Sequence, residues 1–542
     1  MKRDGFNNAT ECWKAILSDV KKNAYLLEEI ERFARENTAP ANIVFGTSGW
    51  RGEIGTDFTF HNVRVVTTAV IEMFKTGRLR QMNALGVKDF DDIKRRGVIV
   101  GHDNRFLGPQ FSSSVMGLLT KEGIKVYYAD ETTTPEISAA IDMLGAACSI
   151  NITPSHNPAN YSGFKFNPSD GGPAGAEITN AIEENANRLM TERVTIEEVR
   201  PEGVHRIDTM GLYEDFLKKR GTLDLEKIKR FIREENCFIC IDYVYGATRG
   251  RPKVLLGESP KIECIRTEDD YLFGGVSPEP SARNMRAVLE RLEENRYSFK
   301  LGVIMDPDGD RIRFTDGKAD ISMNHFGGMA LHFLHTYKHI PGVLVKSVAT
   351  SNFGNAIAKK VGIPVKETAV GFKNFRPYML PDAKEQAIVA YEESDGISGY
   401  RNTLEKDAMF GLLLAIEMMA DTKKNISEYL RELEERFGAY FPERASITVE
   451  HHLVGATLMQ KLFTLNDRLY TGNKIAIGKN NKRIKDVITA DGIKVVFEDE
   501  SWLLIRPSGT EPKVRFYVET RSPDELGDMI KTAERLTKEA IA

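Results

Sequence analysis

The sequence predicts three doubly wound α/β units followed by one α+β unit. Near-continuous apolar segments of strand length alternate with helical stretches, the pattern of parallel strands covered on both faces. That order occurs three times. Gly97-Val-Ile-Val-Gly101, Phe238-Ile-Cys-Ile241 and Gly342-Val-Leu-Val345 each precede a helical stretch and then a second apolar strand, at 148–152, 301–305 and 387–391. The last hundred residues break the pattern. There, 501–505, a polar turn and 514–518 read as strand, loop, strand, the order of an antiparallel α+β unit.

Taken in order, residues 12–36 carry Trp13, Ile16, Leu17, Val20, Leu27, Ile30 and Phe33 among charged residues, which predicts one amphipathic helix ending before Pro40. Phe45-Gly-Thr-Ser-Gly-Trp-Arg-Gly52 is rich in glycine and reads as a loop bringing backbone amides and Arg51 toward an anion. The stretch 193–208 is charged and non-periodic, a linker. The domain expectation is a helical extension over 1–42, α/β units over 43–205, 206–320 and 321–437, and an α+β unit over 438–542.

A chain of 542 residues with 41% hydrophobic and 28% charged residues has ample material for several cores. The formal charge of −4, with basic residues scattered throughout, excludes a nucleic-acid footprint. No apolar run reaches membrane-span length and no secretory leader opens the sequence, so a cytoplasmic protein without a membrane partner is expected. The five cysteines are odd in number and dispersed. Cys237-Phe-Ile-Cys240 lies inside an apolar strand with no second pair to complete a zinc site, so buried thiols are expected.

Each second strand runs into a polar loop, and ligands of doubly wound sheets bind beyond the carboxyl ends of strands. The first loop, Thr153-Pro-Ser-His-Asn-Pro158, sets Ser155 between two prolines, a rigid loop presenting an exposed hydroxyl. No GxSxG elbow accompanies it, so a hydrolase nucleophile is not indicated. In the second, Asp306, Asp308 and Asp310 alternate with Pro307 and Gly309, so three carboxylates can converge on one hard cation. Calcium-loop spacing fails, with Arg311 and Gly317 at its glycine and glutamate positions. The third loop, Glu392-Glu-Ser-Asp-Gly396, offers acceptors for hydroxyl groups. Near the C-terminus, Arg506-Pro-Ser-Gly-Thr510 with Lys513 combines a guanidinium fork, hydroxyls and freed amides, a set suited to a phosphate dianion. A serine combined with a metal loop and a phosphate clamp suggests a hydroxyl that carries a phosphoryl group.

These loops, in this order and with Glu405-Lys-Asp407 between the last two, closely resemble the α-D-phosphohexomutases, and within them the phosphoglucomutases and phosphomannomutases. The resemblance implies four domains around a central cleft. It also implies that Ser155 is the phosphoserine, that Asp306, Asp308 and Asp310 hold Mg2+ which also contacts the serine phosphate, and that Arg51 and Arg311 flank that phosphate. Glu392 and Ser394 would hold the sugar, and Arg506, Ser508, Gly509 and Thr510 the phosphate not in transfer. Lys165 and Lys406 occupy acid/base positions, with His156 beside the serine. Two departures stand out: the sugar loop lacks the GEMSGH pattern of dual-specificity mannose enzymes, and Ala408 follows Lys406-Asp407 where glycine is usual.

The implied activity is interconversion of glucose 1-phosphate and glucose 6-phosphate through phosphoserine and a glucose 1,6-bisphosphate intermediate, with mannose, glucosamine and pentose phosphates as alternatives. A catalytically silent sugar-phosphate-binding protein would have lost the serine or an aspartate, and all are present. His332, His335 and His339 share one face of a predicted helix, and His451-His452 are adjacent; without carboxylate partners they read as partly exposed surface residues.

Overall fold

The computed structural model describes residues 5–46, 49–450, 453, 455–508 and 512–542. They divide into two compact units, one of residues up to 320 with 379–383 and 395–427, the other of 321–378, 384–394 and 428–542. The doubly wound and α+β architecture is present.

In the first unit a six-stranded sheet runs in the spatial order Trp50–Glu53, Tyr161–Pro168, Cys148–Ile152, Val98–His102, Val126–Glu131, His205–Arg206. Val98–His102 pairs in parallel with both of its neighbours, whereas Tyr161–Pro168 lies antiparallel to Cys148–Ile152. The five residues of Cys148–Ile152 are all buried, as a strand covered on both faces requires. A second sheet has the order Asp320–Ile321, Ile312–Thr315, Phe299–Met305, Cys237–Asp242, Ile262–Ile265. Cys237 and Cys240 are buried in it as free thiols. Helix Ala408–Thr422, buried from Ala408 through Ala420, also belongs to this unit and packs on Phe299–Met305 and Ile312–Thr315.

The second unit holds the parallel strands Val365–Thr368, Val343–Ser347 and Ala387–Glu392. Its C-terminal part is a six-stranded sheet in the order Phe441–Thr448, Lys513–Thr520, Trp502–Pro507, Ile493–Phe497, Asn480–Ile488, Lys474–Ile477, antiparallel throughout and packed against helix Leu526–Ile541. No helix among the described residues is long and apolar enough to cross a membrane.

Three expectations need correction. Residues 12–36 form no single helix: Ala9–Ser18 stops at Asp19, whose side chain caps the short helix Val20–Asn23, and Leu27–Glu36 follows as a separate helix. Local capping by Asp19 outcompetes continuation. Second, Trp50–Glu53 is a strand, paired with 161–164 across more than a hundred residues of sequence, so Arg51 is presented from regular structure. Third, His332 is buried and 2.6 Å from the Tyr429 hydroxyl, a satisfied core histidine. His451 and His452 lie outside the described residues.

Candidate functional site

Strand Cys148–Ile152 delivers the chain into the Ser155 loop. Ser155 adopts φ 57°, left-handed and unusual for a residue with a side chain. Its amide donates to Thr153 Oγ1 at 2.9 Å, and Thr153 Oγ1 donates to Asp103 at 2.8 Å. The hydroxyl is buried, 1% of Ser155 being accessible, against the expectation of an exposed group. The cover is the acidic loop: Ser155 Oγ donates to Asp306 Oδ2 at 2.8 Å and lies 3.4 Å from Asp310 Oδ1 and from His156 Nδ1.

That acidic loop leaves strand Phe299–Met305 and turns at Gly309, φ 67°, where an added Cβ would stand 2.8 Å from Thr248. Asp306 Oδ1 accepts from the amides of Asp310 and Arg311, both at 2.9 Å, which fixes its other oxygen toward Ser155. One oxygen from each of Asp306, Asp308 and Asp310 lies within 4.8 Å of the others, and all three residues are buried. Asp308 Oδ1 is buried without a hydrogen-bond partner, an expensive state for a carboxylate oxygen. Three hard oxygen donors, one of them orphaned, fit a divalent cation such as Mg2+.

Two lysines offset the acidic charge. Lys165 Nζ donates to Asp308 Oδ2 at 2.6 Å, Asp310 Oδ2 at 3.1 Å and Thr134 Oγ1 at 3.2 Å, and Lys406 Nζ lies 3.0 Å from Asp310 Oδ2. Burial alone would lower Lys165, but the Asp308 and Asp310 carboxylates outweigh it and hold its pKa above the ordinary lysine value. Burial likewise opposes ionisation of Asp310, yet Lys165 and Lys406 hold it well below the carboxylate range. Asp306 is pushed up by burial and by its two acidic neighbours. Arg51 Nη1 donates to Asn157 Oδ1 at 2.9 Å, and Arg311 Nε lies 3.8 Å from Asp310. His156 is driven toward its neutral form by burial and by Arg311 and Arg51. Ser155, His156, Lys165, Lys406, Arg51, Arg311 and the three aspartates are thus brought together in one unit.

The remaining candidates lie in the second unit. Ser394 Oγ donates to Glu392 Oε2 at 3.1 Å, while the neighbouring Glu393 accepts from Ser347 at 2.9 Å and Thr350 at 3.3 Å. Arg506 Nε donates to Asp491 Oδ2 at 2.9 Å, and Glu393 and Asp491 both help raise the Arg506 pKa against the opposing effect of burial. Ser508 is buried and its amide donates to Lys513 O at 2.9 Å. Gly509 and Thr510 lie outside the described residues.

Several residues of the site escaped the sequence reading. Arg105 is wholly buried behind the Ser155 loop, where Nη2 donates to the carbonyls of Ser155 and Asn157, both at 2.6 Å, and Nη1 to those of Pro158 at 2.6 Å and Tyr161 at 3.3 Å. Its Nε reaches Asp103 at 3.3 Å, and burial pushes that carboxyl up to about 6. The available signal was position: Asp103-Asn-Arg105 also follows directly on a parallel strand. Glu405, the first residue of the Glu405-Lys-Asp407 motif, accepts from Asn167 at 2.8 Å and is raised by burial to about 7. Asp491, which also accepts from the Val370 amide at 2.9 Å, carried no such signal.

Comparisons with known proteins place the chain in a family. The family model for phosphoglucomutase/phosphomannomutase α/β/α domain I matches residues 42–193, domain II 213–319, domain III 322–437 and the C-terminal domain 467–535. A phosphoglucosamine/phosphogalactosamine mutase of Sulfurisphaera tokodaii is 25% identical over 503 residues, covering 91% of this chain and 99% of its own. A phosphoglucomutase of Staphylococcus haemolyticus is 25% identical over 537 residues, covering 89% and 91%. A Thermus thermophilus crystal structure assigned to phosphomannomutase superposes with a TM-score of 0.74 at 28% identity, covering 92% of this chain and all of that one. With all four domain models matched in order along one chain, the protein belongs to the phosphoglucomutase/phosphomannomutase family and is an intramolecular phosphotransferase.

Proposed function

We propose that the protein interconverts glucose 1-phosphate and glucose 6-phosphate, with Ser155 as the phosphoryl carrier and glucose 1,6-bisphosphate as the intermediate. The observation that carries this reading is the 2.8 Å hydrogen bond from Ser155 Oγ to one member of a buried three-aspartate cluster. Phosphoryl transfer is catalysed chiefly by positioning and charge stabilisation. Phosphorylated Ser155 would lose its Oγ–P bond as the free hydroxyl of the sugar phosphate forms a new one. The hydroxyl proton leaves to a basic group, for which Lys406 and His156 are the candidates, while Lys165, held as its ammonium by Asp308 and Asp310, would act as the acid. Arg51 and Arg311 stabilise the transferring oxygens. Asp306, Asp308 and Asp310 would hold Mg2+, which supplies positive charge to the phosphoryl group when bound. Glu392 and Ser394 would take sugar hydroxyls, and Arg506, Ser508, Gly509 and Thr510 the idle phosphate. After reorientation of the bisphosphate, its other phosphate returns to Ser155.

Glucose is favoured because the EES and EKD context resembles phosphoglucomutases. The name of the S. tokodaii relative favours amino sugars as a second reading. The test is turnover of glucose 1-phosphate with magnesium and a trace of glucose 1,6-bisphosphate, run beside mannose, glucosamine and ribose 1-phosphates. Glucose 6-phosphate should form fastest. A larger kcat/KM on glucosamine 1-phosphate would transfer the assignment to amino sugars, and no turnover on any would overturn the mutase reading. Chelation should abolish turnover and magnesium restore it; full activity in chelator would contradict the metal assignment.

A further inference from the structure

The N-terminal helices precede the part matched by the family models, which begins at residue 42. They are nevertheless built into the first unit: Cys12, Trp13, Ile16, Ile30 and Ala34 are buried in the core that also holds Trp50 and Phe164. Their polar contacts converge on the turn that continues the Arg51 strand. Trp13 Nε1 donates to Ile54 O at 2.9 Å, and Asn37 Nδ2 donates to the carbonyls of Gly55 and Thr56, both at 3.0 Å. Gly55, φ 85°, fits a notch in the arm, where an added Cβ would stand 2.8 Å from Ala9 Cβ and 3.2 Å from Phe33 Cβ.

Glu53 is the node of this contact. The Thr10 hydroxyl donates to Glu53 Oε2, which also accepts from Thr56 Oγ1 at 3.1 Å, and Glu53 Oε1 accepts from Asn160 Nδ2 at 2.8 Å. Asn160 belongs to the Ser155 loop, and its carbonyl accepts from the Ile54 amide at 2.8 Å. The same loop receives Arg51 through Asn157, and strand Trp50–Glu53 pairs residue by residue with 161–164. One carboxylate therefore joins the arm, the strand presenting Arg51 and the loop presenting Ser155. The arm touches a second support of that loop as well: an added Cβ at Gly275 would stand 3.1 Å from Val20, and Phe273, two residues earlier, stacks under the Arg105 guanidinium at 4.8 Å.

We propose that the N-terminal arm is a positioning element of the phosphoryl-transfer site, acting through Thr10 and Glu53 to hold Arg51 and the Ser155 loop in register. This rests on the assignment of Ser155 as the phosphoryl carrier. Thr10 and Glu53 touch no reacting atom. Their loss lets the Arg51 strand and the Ser155 loop drift relative to each other, and small misplacements at a transfer site are costly.

The experiment compares full-length Thr10→Val, Thr10→Ser, Glu53→Gln, Lys14→Ala and Ser155→Ala in steady-state turnover of glucose 1-phosphate, with thermal melting of each. Lys14 lies on the exposed face of the same helix and serves as the control. Thr10→Val and Glu53→Gln are expected to lower kcat by about tenfold with KM within about twofold, and Thr10→Ser and Lys14→Ala to match the wild type. Melting temperatures above the assay temperature for the slow variants separate misplacement from unfolding. Wild-type kcat in both Thr10→Val and Glu53→Gln, or a fall equal to that of Lys14→Ala, would overturn the proposal while the loss in Ser155→Ala left the carrier assignment standing. Full activity in Ser155→Ala would instead sink the carrier assignment itself.

Discussion

The Ser155 loop and the Arg506 loop, each proposed to take a phosphate, are held in different ways. Ser155 is gripped through its backbone: Arg105 takes the carbonyls of Ser155, Asn157 and Pro158 from behind, and Thr153 and Asp103 take the Ser155 amide side. Arg506 stands at the end of strand Trp502–Pro507, its main chain paired with Arg515, and its side chain is aimed by Asp491, which also takes the Val370 amide. A covalent carrier must keep one oxygen in line, so fixing the main chain is the effective restraint. A clamp that receives either end of a sugar bisphosphate needs an aimed charge, which an ion-paired guanidinium at a strand end would supply.

The largest effect is expected at Ser155, the proposed carrier. Ser155→Ala should lower kcat by roughly 10⁴-fold or more, measured by coupled assay, because nothing else in the site can take its place. Arg105→Lys keeps the charge but cannot reach four carbonyls. It should lower kcat by about 10²-fold with little change in KM, whereas a clamp-like role would raise KM instead. Arg506→Lys should show the opposite division, losing about tenfold in kcat/KM mostly through KM, since a charged hydrogen bond is worth about 1.5–3 kcal/mol and lysine retains part of it.

Much of this contrast was legible in the sequence, and the reasons differ by residue. The apolar strands leading to Ser155 and Asp306 stood out because strands buried on both faces carry no polar interruption. The loops were then located by the rule that ligands meet strand carboxyl ends. Residues 45–52 read as a loop although Trp50–Glu53 is a strand, because its partner lies at 161–164 and a pairing that distant leaves no local trace. The burial of Ser155 was also out of reach, being imposed by Asp306 from another sheet. Arg105 was passed over because its value is geometric, four carbonyls facing one fork, and composition does not record that. The locking of Glu393, beside the expected Glu392 and Ser394, was hidden by the same limit: its partners Ser347 and Thr350 are more than forty residues away.

The smallest expected effect concerns the frame behind the clamp. Lys494 is 1% exposed, donates to Val348 O at 2.7 Å and faces the Trp502 ring at 4.2 Å. Burial, with Lys346 adding to it, lowers its pKa from 10.5 to about 8. Between those values the unfolded chain binds the proton and the native state does not, so this residue makes stability rise with pH across that window. Chemical denaturation at pH 8 and pH 10.5 should show the wild type gaining on the order of 3 kcal/mol relative to Lys494→Met. A constant difference would mean the ammonium is fully compensated by Glu367.

The most direct test of the central claim is transfer of one labelled phosphoryl group. Dephosphorylated protein is incubated with glucose 1,6-bisphosphate labelled in its phosphates, then freed of sugar and mapped by peptide mass analysis. Label is expected on Ser155 and no other residue, and addition of unlabelled glucose 1-phosphate should discharge it into sugar bisphosphate at a rate at least equal to kcat. Label elsewhere, or a labelled Ser155 that discharges more slowly than the enzyme turns over, would contradict the account.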